Sequence, residues 1–337
     1  MRGKIALEEH FAFEGTIGGA EFLHGKSEFW PTLKRQLVDL HDERIAKMDR
    51  LGIEFSILSL NAPAIQAMTN GREAAELARR ANDYLAEQVA SRPDRFAGFA
   101  TLPMQDPEAA TRELTRCVKH LGFKGALING FSHNEGVEQS AVYYDEPQYW
   151  PFWAELERLD VPFYLHPRDP VTSQQLIYNG HPWLLTAAWA FGVETATHAL
   201  RLMCSGLFDQ HPKLRVLIGH LGEGLTFSMW RVDHATRRDP RGIKAQKKPS
   251  EYFRKHFYVT TSGNFYTPSL ISAMLEIGSD HVMFATDYPY ERMEQASDWF
   301  DSAPISDNDR EKIGRLNAIK LFNLSLGETK SAGAGSK

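Results

Sequence analysis

Several apolar, β-branched-rich runs of this chain end in side chains that can bind a cation or move a proton. They are Leu7-Glu8-Glu9-His10, Tyr164-Leu165-His166, Ile218-Gly219-His220 and Ala285-Thr286-Asp287. One Glu, three His and one Asp at the ends of buried-type runs form a ligand set for a divalent cation. In an extended chain alternate side chains share a face, so Glu8 and His10, two positions apart, can meet one ion. A single His after an apolar run is ordinarily a hydrogen-bonded structural residue. The joint placement of His10, His166, His220 and Asp287 points instead to a metal site. His24, His41, His120, His133, His211, His256 and His281 read as loop or helix-face residues. Asn61, Asn129 and Ser262 also end apolar runs; the two amides either bond a substrate or cap loops.

These residues need a frame that brings strand ends together. Apolar runs recur at 5–8, 56–61, 96–102, 125–129, 162–166, 215–220, 258–262 and 281–287, each the length of a buried parallel strand. Helical patterns lie between them, at 42–51, 72–91, 107–120, 149–159, 186–206, 223–238, 268–277 and 292–302. Asp106-Pro107-Glu108 is an N-cap, a proline at the first helical position and an acid in the first turn. Eight strand–helix units predict an α/β fold, a (β/α)8 TIM barrel, in which strand C-termini share one rim. An open doubly wound sheet is the rival, and no Gly-x-Gly-x-x-Gly follows any strand. The expected organisation is one barrel domain over 1–326, with insertions at 11–40, 133–148 and 168–183, after strands 1, 4 and 5. A small, polar tail at 327–337 is expected to be disordered.

Composition narrows the function classes. The net charge of −5 argues against nucleic acid, because the one basic cluster, 237–248, holds Pro and Gly and reads as a solvated loop. No apolar run reaches the length of a membrane span, and the start of the chain lacks a signal-peptide core. Cys117 and Cys204 are too few for a disulfide framework, so a cytoplasmic protein with free thiols is expected.

The motifs Leu7-Glu8-Glu9-His10-Phe11, Leu165-His166-Pro167-Arg168, Gly219-His220-Leu221-Gly222-Glu223, Thr260-Thr261-Ser262-Gly263 and Thr286-Asp287-Tyr288-Pro289 together resemble the aromatic-acid decarboxylase branch of the amidohydrolase superfamily. The resemblance runs from about residue 2 to 324. It implies manganese or zinc held by Glu8, His10, His166 and Asp287, with no organic cofactor. It places His220 beside the ion, paired with Glu223, and makes Asp287 the group that protonates the ring. The reaction implied is the reversible, non-oxidative decarboxylation of an ortho-hydroxybenzoate. A His at position 10 favours the 2,6-dihydroxy isomer over 2,3-dihydroxybenzoate; salicylate or a carboxyvanillate are alternative substrates. Arg231, on the helix after strand 6, is a candidate for substrate contact, within or across subunits. Phe22 and Leu23, with Trp30, Trp183 and Trp189, are candidates for an apolar wall. A homotetramer is implied too. The rivals are a metal-dependent hydrolase or lactonase on the same barrel, and a ligand-binding barrel without catalysis.

Overall fold

The computed structural model describes residues 1–326, apart from the side chains of 22–24; the tail at 327–337 lies outside the described residues. Parallel strands follow one another at Lys4–Phe11, Ile53–Leu60, Phe96–Gly98, Ala126–Asn129, Phe163–His166, Val216–Ile218, Phe257–Thr260 and Val282–Met283. Below they are the first to eighth barrel strands. The first three pair in chain order, as do the last five. Two isolated bridges join these groups: Ala100 with Ala126, and Glu9 with Tyr288. The ring closes as a barrel.

Helices cover the outside where the apolar periodicity places them. Asp106 caps the helix Pro107–His120, its carboxylate accepting from Glu108 and Ala109 N–H at 3.0 Å each. Two helices begin later than their patterns suggest. The pattern from 186 starts as a helix only at Ala190, after a 3-10 turn at Thr186–Ala188 and a non-helical Trp189. The pattern from 223 starts only at Leu225, because residues 220–224 are left-handed. The insertions also carry structure of their own. The first contains the helices Glu14–His24 and Trp30–Val38, the second an antiparallel hairpin of Ser132–Asn134 with Val137–Val142, and the third a series of 3-10 turns. His133, His211 and His256 are buried rather than exposed, bonded to Ser140 O, Glu157 and Leu214 O.

Two apolar layers hold the barrel. One lies between strands and helices and includes Ala6, Leu58, Leu165, Ile218 and Val259. The other fills the barrel with Ile5, Leu7, Phe55, Ile57, Phe99, Leu127, Leu217 and Met283, closed by Phe322 and Leu321 of the helix Asn317–Phe322. Strand alternation assigns each residue to one layer or the other.

The first strand breaks that alternation at one place. Ile5 and Leu7 point inward, so strict alternation would send Glu9 inward and turn Glu8 and His10 away. Ala6 pairs with Ser56 but Glu9 pairs with Leu58, so three steps on the first strand match two on the second. This bulge re-phases the strand, and Glu8 and His10 face the barrel mouth.

Candidate metal centre

Glu8, His10, His166 and Asp287 each offer one ligand atom, and the four atoms lie within 4.8 Å of one another. They sit on the first and fifth strands and just past the eighth, so ring closure assembles them. His10 Nε2 is 3.3 Å from Asp287 Oδ1 and 3.9 Å from Glu8 Oε1; His166 Nε2 is 3.2 Å from Glu8 Oε1. Each imidazole has its other nitrogen engaged, His10 Nδ1 by Ser59 Oγ at 3.2 Å and His166 Nδ1 by Pro167 O at 3.1 Å. Those contacts aim both Nε2 atoms at the shared point.

The residues fit a divalent ion. Glu8 Oε1 and His10 Nε2 are buried with no hydrogen-bond partner among the described residues. Buried lone pairs left unpaired are costly, and a cation satisfies both. Burial keeps His10 below its ordinary pKa despite Asp287, which favours the neutral, ligating imidazole. Burial opposes the charge on Asp287, but His10 and His220 outweigh it and hold its carboxyl below the usual range. Glu8 behaves alike: burial raises it, His220 and His166 lower it further. Two ionised carboxylates balance a divalent charge, and two oxygens with two nitrogens suit manganese as well as zinc.

His220 stands beside this set, its Nε2 3.6 Å from Asp287 Oδ2 and 3.8 Å from Glu8 Oε1. Its Nδ1 is 2.6 Å from Glu223 Oε1. Burial disfavours the imidazolium, but Glu223, Glu8 and Asp287 raise its pKa well above the ordinary value. The run from His220 to Gly224 has positive φ throughout, at 53°, 57°, 89°, 53° and 76°. A left-handed residue other than glycine costs about 1–2 kcal/mol, and three stand here. The turn is held by Leu221 N to Thr260 O (2.8 Å), Asn264 Nδ2 to His220 O (3.2 Å) and the His220–Glu223 bond. Its result is to bring Glu223 back onto Nδ1 of His220. Backbone strain of this kind gathers at functional sites.

Other residues support the ligands without having been singled out from the sequence. Tyr164 and Thr260 both donate to Glu8 Oε2, and the two hydroxyls are 2.7 Å apart. Glu9, turned outward by the bulge, accepts from Thr286 N at 2.9 Å and from Thr286 Oγ1 at 2.9 and 2.7 Å. Burial pushes its carboxyl up to about 8. Buried Arg44 donates to His10 O at 2.5 Å and lies over the Tyr288 ring. A Cβ on Gly263 would sit 2.9 Å from His220 Cδ2 and 3.0 Å from Asp287 Oδ2, at a φ of +58°. Only glycine fits. Tyr164 was legible: it lies two residues before His166 and so on the same face. Arg44 carries no local signal.

The substrate-contact expectations divide. Asn61 and Asn129 are buried at their strand ends and joined, Asn129 Nδ2 donating to Asn61 O at 3.4 Å. Arg231 is exposed on the helix Leu225–Arg238; the nearby carboxylates Asp233 and Glu223 bond Ser250 and His220. Phe22 and Leu23 fall in the helix Glu14–His24, and their side chains lie outside the described residues. Trp30 is packed with Ala12, Ala20 and Leu37, while Trp183 and Trp189 are exposed, so these three do not form one wall.

The amidohydrolase family model matches residues 27–324. The chain is 57% identical over 327 residues to the gamma-resorcylate decarboxylase of Rhizobium sp. (strain MTP-10005), covering 96% of this chain and 99% of the relative. To the gamma-resorcylate decarboxylase of Polaromonas sp. (strain JS666) it is 57% identical, covering 96% and 100%. The solved 2,6-dihydroxybenzoate decarboxylase in complex with 2,6-dihydroxybenzoate superposes with a TM-score of 0.93 at 55% identity, over 96% of this chain and 99% of that one. A dihydroxybenzoic acid decarboxylase from Polaromonas sp. JS666, solved with manganese and the inhibitor 2-nitroresorcinol, gives 0.93 at 55% identity, over 97% and 99%.

Proposed function

The chain belongs to the amidohydrolase family, and on that premise we propose that it decarboxylates 2,6-dihydroxybenzoate, non-oxidatively and with a divalent manganese ion, to resorcinol and CO2. The observation that carries the reading is the convergence of Glu8, His10, His166 and Asp287 beside the His220–Glu223 pair. The unpaired Glu8 Oε1 and His10 Nε2 support the four as ligands. The reading takes residues 1–326 as one metal-dependent barrel domain.

Direct loss of CO2 from a benzoate would leave an aryl carbanion that no side chain stabilises well. Protonating the ring carbon that bears the carboxylate avoids it, because the two ortho oxygens feed electron density to that carbon. A divalent ion held by Glu8, His10, His166 and Asp287 would supply a positive field for the negative oxygens of the substrate. Asp287 is ionised at rest, so the proton it delivers to the ring carbon is one it first takes from the His220 imidazolium. His220 faces Asp287 Oδ2 across 3.6 Å and replenishes it, while Glu223 on Nδ1 holds the imidazole in orientation. The new C–H bond takes an electron pair from the ring, the C–C bond then breaks, and its pair restores aromaticity as CO2 leaves. Run backwards, the same groups carboxylate resorcinol.

The wider reading is a homotetramer in the cytoplasm. Phe227 and Trp230, 88% and 72% exposed on the helix that bears Arg231, support a subunit surface there. The free thiols Cys117 and Cys204 support a reducing compartment. Among the described residues no helix is long and apolar enough to cross a membrane.

The test is to incubate manganese-loaded protein with 2,6-dihydroxybenzoate and follow resorcinol and CO2, with His10→Ala as control. Turnover in the wild type that disappears with His10→Ala is expected. Tightly bound metal with no CO2 from any ortho-hydroxybenzoate would move the assignment to a hydrolase.

A further inference from the structure

Tyr164 is an anomaly in its surroundings. Its ring belongs to the apolar filling of the barrel, edge-on to Phe99 at 5.9 Å and fully buried. A Phe would fill that volume without a polar atom to satisfy, and a buried hydroxyl without a partner costs free energy. The hydroxyl has partners in one direction only, toward Glu8 Oε2 and Thr260 Oγ1. Thr260 in turn lies 3.4 Å from the same Oε2. The backbone at Gly219 closes the space further, since a Cβ there would stand 2.9 Å from Oε2. Glu8 Oε2 is thereby enclosed by the fifth, sixth and seventh strands. Glu8 Oε1 points the other way, unpaired, toward His10 and His166.

We propose that Tyr164 and Thr260 are positioning residues that confine Glu8 to metal ligation through Oε1 alone. The inference rests on the metal site proposed above and assigns the groups that orient its first-strand carboxylate. A carboxylate with both oxygens free can swing between one-oxygen and two-oxygen binding. One whose second oxygen is occupied by two hydroxyl donors is fixed in orientation before the ion arrives. Partners of this kind are typically worth about 10- to 100-fold in metal affinity. Both hydroxyls act through Glu8, whose Oε2 they contact.

The experiment is a chelator-competition titration of manganese on the full-length protein, comparing wild type with Tyr164→Phe, Thr260→Val and Thr260→Ser. Thermal melting of the metal-free forms is recorded alongside. Both Phe and Val are near-isosteric and remove only the donor, so the barrel filling stays intact. Tyr164→Phe is expected to weaken manganese binding about 10- to 100-fold, and Thr260→Val by less. Thr260→Ser, which keeps the hydroxyl, should bind within about twofold of wild type. Should Tyr164→Phe fail to fold, the contrast between Thr260→Val and Thr260→Ser decides. Wild-type affinity in both donor-free variants would overturn the inference and leave the metal site standing. A wild type that binds no manganese would overturn the metal-site reading and this inference with it.

Discussion

The two ends of the barrel interior are built from the same strands and differ in almost everything else. At the lower end Ile5, Phe55, Phe99, Leu217 and Met283 meet the plug of Phe322 and Leu321. At the upper end the same strands finish in Glu8, Ser59, Gly219, Asp287 and their neighbours. The change is abrupt, and Tyr164 stands at the boundary, ring below and hydroxyl above. The lower end contributes stability through packing, and the upper end concentrates buried ionisable groups at a cost in stability. The bulge between Ala6 and Glu9 is the device that allows both on one strand.

If the division holds, substitutions at the two ends should separate activity from stability. The largest effect belongs to the upper end. Asp287→Asn removes the proton donor and one ligand charge, and should lower kcat by at least about 10²- to 10⁴-fold. Its metal-free melting temperature should fall modestly, because the charge that His10 and His220 hold below its usual range stabilises the fold and is lost, while Asn keeps an oxygen facing them. Steady-state kinetics with calorimetry would check both; a variant that kept kcat would place the proton donor elsewhere. At the lower end Phe322→Ala opens a cavity under Phe99, whose ring centroid lies 5.6 Å away. Denaturant unfolding should show a loss of about 3–5 kcal/mol. The kcat per folded molecule should hardly change, and a matching loss of kcat would show that the plug and the mouth are mechanically coupled.

The same division explains what the sequence disclosed. The barrel was legible because each strand is a compact apolar run and each helix has its own period and caps, signals that are local. The cluster at the barrel mouth was legible because Glu8, His10, His166, His220 and Asp287 sit at the ends of those runs, and the fold class tells where strand ends go. The bulge was not legible. Glu8 and His10 share a face with or without it, so nothing local to the chain says which face is inward. The left-handed run at His220–Gly224 was hidden because only Gly222 and Gly224 advertise positive φ, while His220, Leu221 and Glu223 are held there by tertiary bonds. Arg231 shows a different limit, since its place in the chain says which helix bears it and not what that exposed side chain meets.

The smallest predicted effect makes the sharpest version of the comparison, because it too concerns a buried charge on the first strand. Lys4 begins the strand that Glu8 and His10 finish, and its side chain is fully buried. Its Nζ bonds Asp301 at 2.8 and 2.9 Å and Met1 O at 3.1 Å. Burial pulls its pKa down, and Asp301 opposes that pull. A charge kept for structure alone can be exchanged for an apolar side chain of similar length when its partner has another counter-ion. Asp301 has one in the N-terminal amine, 2.9 Å away. Lys4→Met should therefore change unfolding free energy by no more than about 1 kcal/mol and leave kcat and manganese affinity as they were. Asp301→Ala, which strands Lys4 in the interior, should be the more destabilising of the two. If Lys4→Met instead weakened manganese binding, the two ends of the strand would be electrostatically joined, and the division between them would fail.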